Sequence, residues 1–126
     1  MKRTLAAFAL LGLLAAISLW NLRYINALAD KLCACVELSV RCMEDGDSDA
    51  ARAAADAAMT LWERSESYTH IFLRHSEVDS TADALFELQS AVYAMDAEES
   101  RALGNLAVYH LRSIQGMEHP GWGSIF

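Results

Sequence analysis

The chain has 126 residues and a formal net charge of −7, which leaves room for one modest core. The charge is divided along the length: the first 29 residues carry only Lys2, Arg3 and Arg23, whereas residues 30–126 hold all 17 acids against seven of the ten bases. An acidic excess of that size repels phosphate backbones and anionic lipid headgroups and argues against nucleic acid as a partner, while suiting basic proteins, cations or solubility alone.

From Thr4 to Leu22 there are 19 uncharged residues, and at 1.5 Å per residue such a run spans about 28 Å as a helix, enough to cross the hydrocarbon core of a membrane. Lys2 and Arg3 precede it, which favours a cytoplasmic N-terminus, and Trp20 and Tyr24 fall where an aromatic belt sits. The rest of the chain is then extracytoplasmic. A cleaved signal peptide competes with this reading, because Ala27-Leu28-Ala29 satisfies the small-x-small rule and would release a chain beginning at Asp30. Against it, the apolar run exceeds the usual length and Arg23, Tyr24 and Ile25 crowd the cleavage region. The expected organisation is an anchor over 1–24, a helical bundle over 25–119 and a C-terminal apolar tail over 120–126.

Beyond the anchor the helical period continues through Ile25, Leu28, Leu32, Cys35, Ser39 and Cys42, so the membrane helix is expected to run on as a stalk to Met43 or Glu44. Glu44-Asp45-Gly46-Asp47 breaks it. Cys33, Cys35 and Cys42 cannot all pair by count, and residues at i and i+2 point about 200° apart on a helix, so Cys33 and Cys35 do not face one ion. They read as small apolar fillers, with an intermolecular disulfide the alternative in an oxidising compartment.

A second helix is predicted from an N-cap at Ser48 or Asp47 to about Ser76, with Ala54, Ala58, Leu61, Ser65, Tyr68, Phe72 and His75 on its inner stripe. Its alanine-rich first half implies a close helix approach; no copy recurs at a 34-residue spacing, so it is not a repeat array. The third is expected near Asp79 or Ser80, burying Ala82, Leu85, Leu88, Val92 and Met95. Asp96 with Glu99 makes a capping-box-like start for a fourth, whose inner stripe is Leu103, Leu106, His110, Ile114 and Met117 and whose end is Gly116. Pro120, Gly121 and Gly123 cannot continue it, yet Trp122, Ile125 and Phe126 are too apolar to leave in water. No strand or hairpin pattern appears. The fold class is all-α: an N-terminal transmembrane helix continuing into an antiparallel bundle of about four helices.

The order of these pieces resembles a family of short bacterial membrane proteins grouped as domain of unknown function 4363. In that family an anchor precedes a helix with a central Trp, an apolar-His-x-Glu-Ile/Val-Asp junction, two further helices and a Met-Glu-x-Pro tail closing on Ile-Phe. Trp62, the stretch Ile71-Phe72-Leu73-Arg74-His75-Ser76-Glu77-Val78-Asp79, Met117-Glu118-His119-Pro120 and Ile125-Phe126 look like those elements. The resemblance covers nearly the whole chain and implies an anchored helical protein of Gram-positive, often spore-forming, bacteria with no established activity. The cysteines, the alanine-rich second helix and Gly121-Trp122-Gly123 look unusual for the family.

His75 and His110 both fall on predicted inner stripes, and with Glu77 or Asp79 they would form a bundle-core metal site if they met. The Glu-x-x-His spacing of such sites is absent, and Glu66 with His70 is the nearest helical ligand pair. The simpler reading is a histidine bonded to a carboxylate or carbonyl that fixes how the second and third helices join. No nucleophile elbow, phosphate loop or His-Glu-x-x-His motif is present, so no enzyme and no cofactor are expected. Trp62 reads as core and Trp122 as either packed or presented to a partner. The expected function is a non-enzymatic interaction or scaffold module for another membrane or envelope protein, with Trp62, His75, Glu77, Asp79, Glu118, Pro120, Trp122, Ile125 and Phe126 as structural or interaction residues. The alternative is a ligand- or metal-binding sensor using His75 and His110.

Overall fold

The computed structural model describes residues 1–73 and 75–118, with side chains at all of these but Phe72 and residues 116–118. They form five helices: α1 (Lys2–Glu44), α2 (Ser48–Arg64), α3 (Glu66–Phe72), α4 (His75–Tyr93) and α5 (Ala97–Glu118). There is no strand among the described residues.

Nothing in the leucine- and alanine-rich stretch before Glu44 interrupts α1, so its 43 residues make one rod of about 65 Å. Its two halves differ. Every residue from Met1 to Trp20 is exposed, whereas Ile25, Leu28, Ala29, Leu32, Cys33, Val36, Ser39 and Met43 are buried against the bundle. The α1 half that lacks protein neighbours is also long and apolar enough to cross a membrane.

The four long helices form a ring in which α1 and α4 each pack between α2 and α5. Cross-helix contacts give the directions. Tyr24 of α1 meets Ser65 just past the end of α2, Glu44 meets Arg101 near the start of α5, and Asp56 of α2 bonds Gln89 and Tyr93 near the end of α4. Neighbours are therefore antiparallel, in the up-down arrangement that short connections demand. Ala51, Ala54, Ala55 and Ala58 are buried on α2, and their small side chains let α1 approach closely enough for Ser39 Oγ to donate to the Ala51 carbonyl at 2.8 Å. Leu32, Val36, Leu85, Leu88, Val92 and Leu111 fill the centre. The buried hydroxyls of Thr69, Thr81 and Ser100 each return to a backbone carbonyl of their own helix, or of its cap, so none is left without a partner.

Two turns at one end of the ring share a construction. After α1, Gly46 N–H donates to Met43 O and Asp47 N–H to Cys42 O; after α4, Met95 N–H donates to Val92 O and Asp96 N–H to Ala91 O. Each is a Schellman closure whose left-handed residue is Gly46 (φ 81°) or Met95 (φ 60°). The aspartate next in the chain caps the following helix: Asp47 accepts from Ala50 N–H at 3.2 Å and Asp96 from Glu99 N–H at 3.0 Å.

Several expectations are corrected. The predicted second helix to Ser76 is two pieces, kinked at Ser65 and stopped at Leu73, where φ −114° and ψ 159° are extended. Consequently α4 starts at His75, not near Asp79, and the stripe carried through the stop puts His75 on the wrong face. Met95 lies in solvent because it occupies the closing turn, and Leu106 is exposed because α5 turns Ser100, Gly104, Ala107 and Leu111 inward beside the expected Ile114. The fifth helix runs two residues past Gly116. The seam of α1 is wider than the predicted stripe, with Cys33 and Val36 buried and Cys35 and Cys42 half-buried at its margins.

Candidate functional site

At the end of the ring opposite the two Schellman turns α3 links α2 to α4, and Ser65 and Tyr68 meet α1 at Tyr24 and Asn21, just past its apolar half. Tyr24 Oη donates to Ser65 Oγ at 3.3 Å, and the Tyr68 hydroxyl donates to Asn21 Oδ1. The Tyr24 and Tyr68 rings lie 4.2 Å apart at 47°, a tilted pair of the kind that adds to area burial. Trp62, only 3% exposed, closes the core above them. Ser65 is itself buried, and this bonding accounts for a kink where the sequence has neither glycine nor proline.

On the outer side of that end, His70 lies 3.3 Å from Glu66 and His75 lies 3.5 Å from Asp79, both pairs one helical turn apart. The two imidazole rings lie 5.7 Å apart, tilted by 43°. The side chain of His75 is 79% exposed, so it is a surface residue and not the inward ligand expected from periodicity. Glu77 is half-buried and its carbonyl accepts from Thr81. His110 is half-buried on α5 with its ring edge-on to Tyr109 at 5.6 Å, and its Nδ1 has no hydrogen-bond partner among the described residues. His75 thus meets His70 and Asp79, and His110 meets Tyr109. Among the described residues no three His, Cys, Asp or Glu side chains converge as a metal site.

Along the α1–α5 seam Arg112 Nη1 and Gln115 Nε2 reach Asp30 Oδ1 at 2.8 and 3.0 Å. These hydrogen bonds, that from Gln115 foremost, hold the Asp30 carboxyl below its ordinary value, and Asp30 in turn raises Arg112. Burial pushes the Cys33 thiol up. All three cysteines are free. Across the ring, Tyr93 donates to Asp56 at 2.6 Å, which raises the phenol above its ordinary value, and Gln89 donates to the other oxygen of that carboxylate at 2.7 Å.

A groove of about 260 Å³ opens between α1 and α5, lined by Val36, Glu37, Val40, Arg41, Gly104 and Val108 among others. It falls short of the roughly 300 Å³ at which ligand pockets begin. Neither a histidine nor a nucleophile lines it.

The sequence signalled Trp62, His75, Glu77 and Asp79; the structure gathers His75 and Asp79 at one end and leaves Glu77 and Trp62 as packing residues. Pro120, Trp122, Ile125 and Phe126 lie outside the described residues, as does the side chain of Glu118. Ser65 and Tyr68 were expected only as inner-stripe residues of the second helix, and Asn21 was not singled out. The signal for them was a polar residue closing an apolar run and an aromatic one turn past a buried serine. Over residues 19–125 the sequence matches the family described as domain of unknown function (DUF4363). No curated protein and no solved structure matches it.

Proposed function

We propose that this chain, which belongs to the DUF4363 family, is a single-pass membrane protein whose bundle stands outside the cytoplasm as a non-enzymatic interaction or scaffold module for another membrane or envelope protein. The observation that carries the reading is the division of α1: one unbroken helix whose first half is apolar and bare of protein contact and whose second half is a wall of the bundle. An apolar helix surface of that length requires cover, and the bilayer is the cover its length fits. Lys2 and Arg3 before the run, with the acidic bundle after it, support a cytoplasmic N-terminus.

Support for a protein partner comes from the surface. Phe86 on α4 and Leu106 and Tyr109 on its neighbour α5 are large side chains left in solvent, a composition enriched at interfaces. The acidic excess of residues 30–126 favours a partner with a basic face. The α5 helix also ends beside α1, with Gln115 bonded to the Asn26 carbonyl.

The test is recovery of the tagged full chain from detergent extracts of its own membranes. One stoichiometric membrane or envelope partner is expected, weakened when residues 120–126 are deleted. A monodisperse protein without a partner overturns the interaction reading. Intact-mass analysis of the same sample addresses the anchor, since a chain beginning at Asp30 overturns it.

A further inference from the structure

The contacts that fix α3 to α1 also set its depth. Tyr24 bonds Ser65, and one turn further along both chains Asn21 bonds Tyr68. Each rung advances by three residues in opposite directions, so the next falls at Ser18 and Ile71, roughly 5 Å further into the apolar run. Ile71 is 74% exposed, and on α1 Trp20 (69%) and Ile17 (46%) are exposed as well. The chain turns back only after this point, at the buried and extended Leu73, before α4 climbs away.

We infer that α3 is seated in the membrane interface, with Ile71 inserted at the boundary between headgroups and acyl chains, so that the bundle is docked on the bilayer and not merely tethered to it. This rests on the anchored reading above. Lipid is the occupant because the exposed isoleucine is continuous with, and level with, the apolar surface of the membrane helix, at the depth of roughly 5–10 Å that interfacial helices occupy. Arg23 and Arg64, exposed at this end, suit anionic headgroups, whereas Glu63, Glu66 and Asp79 are exposed there as well, so apolar insertion and not charge carries the docking. Tyr24, Tyr68 and Trp20 sit at the level where aromatic side chains prefer the headgroup layer.

The test places the photo-crosslinking residue benzoylphenylalanine at position 71, 13 or 57 of the full chain in phosphatidylethanolamine–phosphatidylglycerol vesicles and identifies adducts by mass. All three positions are exposed, so the substitutions do not disturb the core. Lipid adducts at 71 and 13, at least about tenfold above those at 57 on α2, are the expected result. Lipid at 13 with none at 71, or with adducts at 71 to a second copy or another protein, overturns the docking and leaves the anchor standing. No lipid at 13 overturns both.

Discussion

Val40 of α1 and Gly104 of α5 stand so close that a Cβ on the glycine would lie 2.5 Å from Cγ2 of Val40. A glycine inside a helix costs about 1 kcal/mol relative to alanine, and here that cost is offset by the close approach of two helices that residues Ser100, Gly104 and Ala107 allow.

Gly104→Ala is therefore expected to destabilise the bundle. Overpacking costs about 1–3 kcal/mol and the better helix former returns about 1, for a net loss on the order of 1 kcal/mol, because a valine on a helix has little rotamer freedom with which to yield. In a Val40→Ala background the same substitution should become neutral or stabilising. Thermal unfolding of the full chain in micelles, followed by circular dichroism, reads both; a destabilisation undiminished by Val40→Ala would show that the clash is not the cause.

Met95 holds φ 60° in the turn where Gly46 holds φ 81° in its counterpart. A side chain in the left-handed region costs roughly 1 kcal/mol, and Met95 is exposed, so little packing is lost with it. Met95→Gly should raise stability by about 0.5–1 kcal/mol in the same melts, whereas Gly46→Ala should lower it by a similar amount. Opposite signs at two turns of one construction are the check.

Asp30 is held below its ordinary value of 3.8 by Gln115 and Arg112. A carboxyl depressed in the folded state favours folding above its unfolded pKa, and that contribution disappears as pH falls through the folded value. Asp30→Asn should accordingly lower the melting temperature at pH 7, and the difference from the parent chain should close below about pH 4. A gap that does not narrow as pH falls below about 4 would assign the loss to shape and not to charge.

Cys33 is 2% exposed and its thiol is pushed up by burial, whereas Cys35 and Cys42 are half-buried. Since the thiolate is the reactive form, iodoacetamide should label Cys35 and Cys42 at least about tenfold faster than Cys33 in the folded chain, with the difference erased in denaturant. Peptide mass mapping over a time course measures it.

The parts of the fold legible in sequence were those specified by local chemistry. Asp47 and Asp96 announce helix starts because each carboxylate caps the backbone N–H groups of the next turn, and the break after Glu44 is carried by Gly46. What was illegible depends on residues distant in the chain. Ser65 kinks a helix through its tie to Tyr24, forty-one positions away. Leu73 resets the helical phase through its extended backbone, so a stripe counted across it assigned His75 to the core. Leu106 was chosen over Gly104 and Ala107 because size suggests burial, yet the nearness of α1 selects for the smallest residues. The candidate site was half visible for the same reason: His75 and Asp79 are one turn apart and declare themselves, while Asn21 and Tyr68 meet only when the chain is folded.

The unbroken course of α1 has a mechanical meaning. From Leu22 to Glu44 it projects about 33 Å, so on the anchored reading proposed above a change of about 10° in its tilt displaces the far turns sideways by about 6 Å. At that far end Glu44 pairs with Arg101 at 2.8 Å, so the start of α5 is tied to the rod there.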